Sequence, residues 1–125
     1  MLSSVMDDVI EPAAADFQLT RVLAALADPQ RMATVRYVAE HGESWCTQVM
    51  QEAGLAMSKS TFSHHLRILR EAGVLTKRIG GAKGYTRVRK DDLDRRFPGL
   101  MDAILEAQPP ALRPGAAARA DSPAG

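Results

Sequence analysis

A mostly α fold with a small β-hairpin is what this sequence predicts, and three observations carry the prediction. Apolar residues recur at helical spacing as far as Leu69, with capping residues where each helix would start and stop. After Gly73 the pattern changes to two short extended runs around a glycine-rich break, Gly80-Gly81-Ala82-Lys83-Gly84. Charge is segregated as well. Residues 58 to 90 hold nine of the 16 Lys and Arg residues (Lys59, Arg67, Arg70, Lys77, Arg78, Lys83, Arg87, Arg89 and Lys90) against one acid, Glu71. That stretch carries +8 in a chain of net charge +1, so the remainder sums to −7. A chain of this kind has one cationic face on an acidic body.

The elements follow in order. Residues 1–16 place Asp7, Asp8, Glu11 and Asp16 around Pro12 and an alanine run, and are expected to form a flexible acidic arm. The folded domain is expected over 17–107. Leu19, Val22, Leu23 and Leu26 share one face of a first helix. Asp28-Pro29 supplies a cap and a first-turn proline for a second helix, from Pro29 to about Glu40, which His41-Gly42 stops. A short third helix from about Thr47 to Ala53 turns Val49 and Met50 inward, and Gly54-Leu55-Ala56 makes a turn. Ser58 caps a fourth helix that ends at Gly73. Two helices joined by a short turn containing glycine match a helix-turn-helix. Val74 to Ile79 and Tyr85 to Lys90 are the strands of a hairpin with a flexible, cationic tip. Asp91-Asp92 opens another helical stretch, broken at Phe97-Pro98-Gly99. Pro98 is expected at the first position of a last helix carrying Leu100, Met101, Ile104 and Leu105. Residues 108–125 mix Pro109, Pro110, Pro114 and Pro123 with alanines and cannot build a core. They are expected to be a disordered tail, either solvated or a short interaction segment.

With 125 residues, 46% hydrophobic and 25% charged, the chain fits one globular domain. The single cysteine, Cys46, excludes an internal disulfide and a Cys-rich zinc site. The start, Met1-Leu2-Ser3-Ser4-Val5-Met6-Asp7-Asp8, lacks a basic region followed by an apolar run, and no stretch has the length of a membrane span. A cytoplasmic protein with no membrane partner is therefore expected. A domain this small buries a limited share of its surface. The apolar sets Leu19/Val22/Leu23/Leu26 and Leu100/Met101/Ile104/Leu105 are accordingly expected to pair across a twofold axis as a homodimer interface. Packing of the same helices within one chain is the alternative.

Function is read from the fourth helix. Phe62, Leu66 and Leu69 form its packed stripe, while Lys59, Ser60, Ser63, His64 and Arg67 fall largely on the other side. Short hydroxyls and a forked guanidinium suit base edges and phosphates in a DNA major groove, so double-stranded DNA is the expected partner. Thr61 belongs to the same candidate set, although Ser58 and Thr61 can also serve only to satisfy the first helical turn. His64 is expected to face DNA and His65 to pack at the helix edge. Adjacent histidines on a helix point about 100° apart and make poor joint metal ligands. In the hairpin, Arg78, Lys83 and Arg87 are candidates for phosphate or minor-groove contact, with a solvated charged hairpin as the bland alternative. No phosphate loop, paired carboxylates or nucleophile constellation stands out, so neither an enzyme nor a cofactor is expected.

From about Leu23 to Leu105 the chain resembles the ArsR (ArsR/SmtB) family of winged helix-turn-helix transcriptional regulators. Leu26-Ala27-Asp28-Pro29-Gln30-Arg31 is similar to the family's start of its second helix. Ser58 to Gly73 followed by Val74-Leu75 resembles its recognition helix, and the strand, glycine-rich tip and strand resemble its wing. The resemblance implies a homodimer reading an inverted repeat, in most members a repressor, released by an inducer of unspecified small-molecule chemistry. The chain departs from the metal-sensing members. Where they carry a Cys-x-Cys pair, Glu43-Ser44-Trp45-Cys46-Thr47-Gln48-Val49 places Trp45 and Thr47 around Cys46. Where others use Asp and His on the last helix, residues 91–107 hold no histidine. No metal site carries over, and Cys46 is expected to pack like a small hydrophobe, with a redox or ligand role as the alternative. A metal- or thiol-responsive repressor with an atypical site, and a winged domain used as a protein-interaction module, are the competing readings.

Overall fold

The structure, a computed structural model, describes residues 9–107. Six helices and a three-stranded antiparallel sheet follow in the order α1 (Leu19–Leu26), α2 (Pro29–His41), β1 (Ser44–Trp45), α3 (Cys46–Glu52), α4 (Lys59–Ala72), β2 (Leu75–Gly80), β3 (Lys83–Val88), α5 (Lys90–Arg96) and α6 (Leu100–Glu106). A single 3-10 turn, Ala14–Asp16, precedes α1.

Helix boundaries follow side-chain chemistry. The Asp28 carboxylate accepts from the backbone N–H groups of Gln30 and Arg31 at 2.9 and 3.0 Å, and Pro29 occupies the first helical position. Two N–H bonds to the carboxylate outweigh its slight desolvation and hold Asp28 below the usual carboxylate range. Ser58 Oγ accepts from Thr61 N at 3.1 Å and starts α4. At the other end Gly73 has φ +93°, and the N–H of Val74 bonds Leu69 O at 2.9 Å in a Schellman closure. A side chain there would be strained twice over, because the Phe17 ring fills the space a Cβ would take.

Strand order is β1-β3-β2. Leu75 pairs with Val88 and Gly80 with Lys83, so the hairpin is closed by Gly81-Ala82 alone. Gly81 has φ +65° while Ala82 stays at negative φ, as in a two-residue type II′ turn. The five-residue flexible tip read from the sequence is thus a tight turn, because Gly80 and Lys83 join the ladder. Pro98 also differs from expectation. It precedes Gly99, which at φ +83° is the N-cap, and α6 starts at Leu100.

The core collects Val22, Val35, Val38, Val49, Leu69, Val74, Leu75, Leu93 and Met101, all essentially without solvent contact. This narrows the interface expected from the first and last helices. Val22, Leu26 and Met101 are packed inside the single chain, as the intramolecular alternative has it. Leu19 and Leu23 are each 43% exposed, and Leu100, Ile104 and Leu105 are half-buried against the core.

The expected acidic arm is docked over its described part. Glu11 accepts from Arg70 Nε at 2.7 Å, Thr76 Oγ1 at 2.6 Å and Lys77 N at 3.1 Å, while Pro12 O accepts from Arg89 and Ala14 O from Arg96. Burial alone would raise the Glu11 pKa, but the bonds from Thr76, Arg70 and Lys77 outweigh it and lower it. Residues 9–16 therefore strap the C-terminal end of α4 to β2. Asp7, Asp8 and the proline-rich tail at 108–125 lie outside the described residues.

Candidate nucleic-acid interface

The helix-turn-helix is α3, the turn 53–58 and α4. Helix α4 buries Phe62, Leu66, Leu69 and Ala72 against the core, so helical geometry dictates what is left outside. Lys59, Ser60, Thr61, Ser63, His64 and Arg67 are all exposed. Ser58 Oγ donates to Thr61 Oγ1 at 3.0 Å, which ties the Thr61 hydroxyl into the cap. Arg67 lies 3.2 Å from Glu71 one turn on, an exposed pair whose guanidinium can exchange partners with a phosphate or a guanine.

The two histidines separate as the helical period requires. His64 is exposed, whereas His65 is half-buried with its Nδ1 3.1 Å from Arg31 Nη1. Since a guanidinium only donates, His65 Nδ1 is the acceptor, and its remaining proton sits on Nε2. Arg31 Nε in turn donates to Ala25 O at 2.6 Å, so this contact ties α4 to the end of α1 and the start of α2.

The wing is more tightly organised than its composition implied. Trp45 pairs with Tyr85 and Tyr85 with Arg78, which puts the three side chains on one sheet face. The Arg78 guanidinium stacks 4.8 Å from the Tyr85 ring centroid and forks onto Glu43, Nε to Oε2 at 3.0 Å and Nη2 to Oε1 at 2.9 Å. The Arg78 bond holds the Glu43 carboxyl below its ordinary range and Arg78 above its own. Lys83 rests its ammonium 3.9 Å above the Trp45 ring, and Arg87 is exposed. Arg78, Lys83 and Arg87 thus all lie at the surface, Arg78 with a carboxylate partner already in place.

Two members of the cationic stretch do not belong to the surface. Arg70 is only 8% exposed and bonds Glu11. Arg89 reaches Asp92 and Pro12 O while its guanidinium covers Phe17. Spacing along the chain could not reveal Glu11 and Glu43 as partners, because each lies tens of residues from the arginine it meets. Trp45 was equally hidden. Its strand β1 exists only by pairing with β3 across some 40 positions of sequence.

Cys46 opens α3, half-buried, and burial pushes its thiol up against the opposing influence of Lys77 and Arg70. Among the described residues no three His, Cys, Asp or Glu side chains group as a metal ion would need. No helix of the described residues is long and apolar enough to cross a membrane.

Comparison with known proteins bears on this geometry directly. The family described as "Helix-turn-helix domain" matches residues 26–78, from the end of α1 into β2. An uncharacterized HTH-type transcriptional regulator of Methanocaldococcus jannaschii is 30% identical over 83 residues, 66% of this chain and 90% of the relative. The HTH-type regulator YceK of Bacillus subtilis, also uncharacterized, is 29% identical over 85 residues, 67% of this chain and 83% of YceK. The winged helix-turn-helix domain of a possible ArsR-family transcriptional regulator from Mycobacterium bovis superposes with a TM-score of 0.57. It is 27% identical, over 68% of this chain and 76% of that one. This chain belongs to the ArsR family of helix-turn-helix transcriptional regulators. As an ArsR-family protein it has α3 and α4 as its helix-turn-helix and the hairpin β2–β3 as its wing.

Proposed function

We propose that this ArsR-family chain is a homodimeric repressor that reads an inverted-repeat operator with α4. Lys59, Ser60, Thr61, Ser63, His64 and Arg67 supply the base and first phosphate contacts, and Arg78, Lys83 and Arg87 of the wing position the backbone. One observation carries the reading: the exposed face of α4 shows hydroxyls, an imidazole and cations, and its only acid is Glu71 at the far end. Repression follows from the family resemblance.

The dimer reading rests on Leu19 and Leu23, which stand four apart and exposed on α1, with Leu100, Ile104 and Leu105 half-buried on α6. The Mycobacterium bovis domain is homodimeric. Leu19→Asp combined with Leu23→Asp should leave the protomer core intact and separate the subunits, so light scattering should report monomer and operator binding should collapse. A double variant that stays a tight dimer places the interface elsewhere.

Genome-wide capture of bound DNA, followed by gel shift on the captured sites, tests the reading as a whole. Arg67→Ala and His64→Ala should reduce discrimination between operator and random DNA, whereas Lys83→Ala should weaken both evenly. Equal loss of discrimination in the two sets would show that α4 is not the reading element. Failure to capture any site would sink the proposal.

A further inference from the structure

The molecule has a cavity that the DNA contacts do not use up. It measures about 230 Å³ and lies where α3, α4 and the wing meet. Trp45, Phe62 and Leu66 supply an apolar wall, and Lys59, Lys77 and Lys83 bring three ammonium-bearing side chains to it from separate elements. No carboxylate lines it. Among the described residues none of the three lysines has a carboxylate within ion-pair distance. Every other lysine and arginine of residues 58–90 apart from Arg87 has one. The other polar side chains of the lining are the Thr47 and Ser63 hydroxyls, which carry no charge, and the Cys46 thiol, which burial keeps protonated. Gly84 makes room for this arrangement. A Cβ there would fall 2.8 Å from Lys77 Cε and 3.9 Å from Cys46 Sγ, so the lysine arm lies across the glycine toward the thiol.

Lysines that line an apolar wall without an acid are complementary to a molecule with one anionic end and one flat apolar body. At about 230 Å³ the space falls below the roughly 300–1,000 Å³ of drug-sized pockets, which limits the body to about one ring. We infer that this cavity binds a monocyclic aromatic carboxylate, its ring against Trp45 and Phe62 and its carboxylate among Lys59, Lys77 and Lys83. Lys59, Ser63 and Lys83 are also in the DNA-contact set proposed above, and the two lysines carry its charge there. A carboxylate that draws them inward removes them from phosphate, so occupant and operator compete. The competition rests on the operator reading; the anion site does not.

The test uses the full chain at constant ionic strength and reads Trp45, the single tryptophan of the sequence. Benzoate and phenylacetate are the probes, with benzamide as the neutral control and inorganic phosphate as the charge-only control. Fluorescence should change saturably with at least one carboxylate and with neither control. At saturation that carboxylate should weaken operator binding by about tenfold, and operator should weaken the carboxylate by the same factor, as linkage demands. Lys77→Met should abolish the fluorescence response while operator affinity and melting temperature hold. Gly84→Ala, which pushes the Lys77 arm aside, should weaken the response in a chain that still folds. Cys46→Ser should leave it unchanged.

Silence with both carboxylates, an equal response to benzamide, or an unaltered response in Lys77→Met would each overturn the site. Phosphate binding as tightly as benzoate would do so too, by marking the cavity as a phosphate seat of the DNA interface. A chain that binds benzoate but no DNA would uphold the anion site and overturn the competition together with the operator reading.

Discussion

Arg70 and Lys83 come from the same basic stretch of sequence and do opposite things. Arg70 is 8% exposed and fixed by Glu11, part of a strap that also engages Thr76 and the backbone of Lys77. Lys83 is exposed, with the face of Trp45 as its neighbour and no carboxylate within ion-pair reach among the described residues. Arg89 and Lys90 side with Arg70, the first covering Phe17 and bonding Asp92, the second bridging Asp94 and Asp102. Lys59 and Arg87 side with Lys83. The local balance of +8 therefore overstates what a nucleic acid meets, because acids from the arm and from α5 and α6 fold back onto part of it. Acids that the fold brings from a distance onto buried cations take that part of a charge run out of the binding face.

The largest effect expected from this division is on salt dependence. Taking Lys59, Arg67, Lys83 and Arg87 as the phosphate-neutralising set gives about eight contacts per dimer, and a slope of about −7 in log affinity against log salt. Operator affinity should then fall about 10⁴-fold between roughly 50 and 200 mM salt, measured by gel shift or anisotropy. A steeper slope would mean that the strap cations also reach DNA. A nearly flat one would remove the cationic-face argument.

Next in size is the contrast between the two sets on mutation. Glu11→Ala removes the charge-assisted hydrogen bond between Arg70 and the strap, at a cost of about 2 kcal/mol in stability with the salt slope unchanged. Lys83→Ala should leave the melting temperature alone and make the slope shallower by about 2 per dimer. The strap also has a pH signature. Because the Glu11 pKa is lowered from its ordinary 4.5, its contribution is fully present above that value and is lost as pH falls toward the folded-state pKa. Acid melting curves of wild type and Glu11→Ala should thus converge as pH drops below about 4.5. Curves that stay parallel would show that the strap owes nothing to the carboxylate's charge.

The parts of the molecule that were legible from sequence are those whose cause is local. Asp28-Pro29, Ser58 and Gly73 set helix ends through bonds that span at most five residues, and the boundaries they mark agree with the structure to within a residue. The exposed face of α4 was legible for the same reason, since Phe62, Leu66 and Leu69 fix its rotation. What stayed hidden depends on distant pairing. The ladder of β1 with β3, the Glu11 strap and the fork of Glu43 on Arg78 join positions 35 to 66 apart. The first and last helices fall between these cases. Their apolar periods were plain, but Val22, Leu26 and Met101 are buried by their own chain while Leu19 and Leu23 are not. A period cannot say whose core it joins.

The smallest expected effect is the sharpest test of the division, because Arg78 stands on its boundary. It is exposed like Lys83, yet it carries a two-pronged carboxylate bond like Arg70. Glu43→Gln removes the negative charge while keeping an oxygen for the guanidinium, and Arg78 then resembles the unpaired set. Exposed ion pairs contribute little to stability, so the melting temperature should not move. Operator affinity should rise a few-fold at about 100 mM salt, and the slope should steepen by up to about 2 per dimer as each protomer gains a phosphate-competent cation. Arg78→Ala should erase that gain in the double variant. If Glu43→Gln changes neither affinity nor slope, Arg78 does not reach DNA, and the wing presents only Lys83 and Arg87.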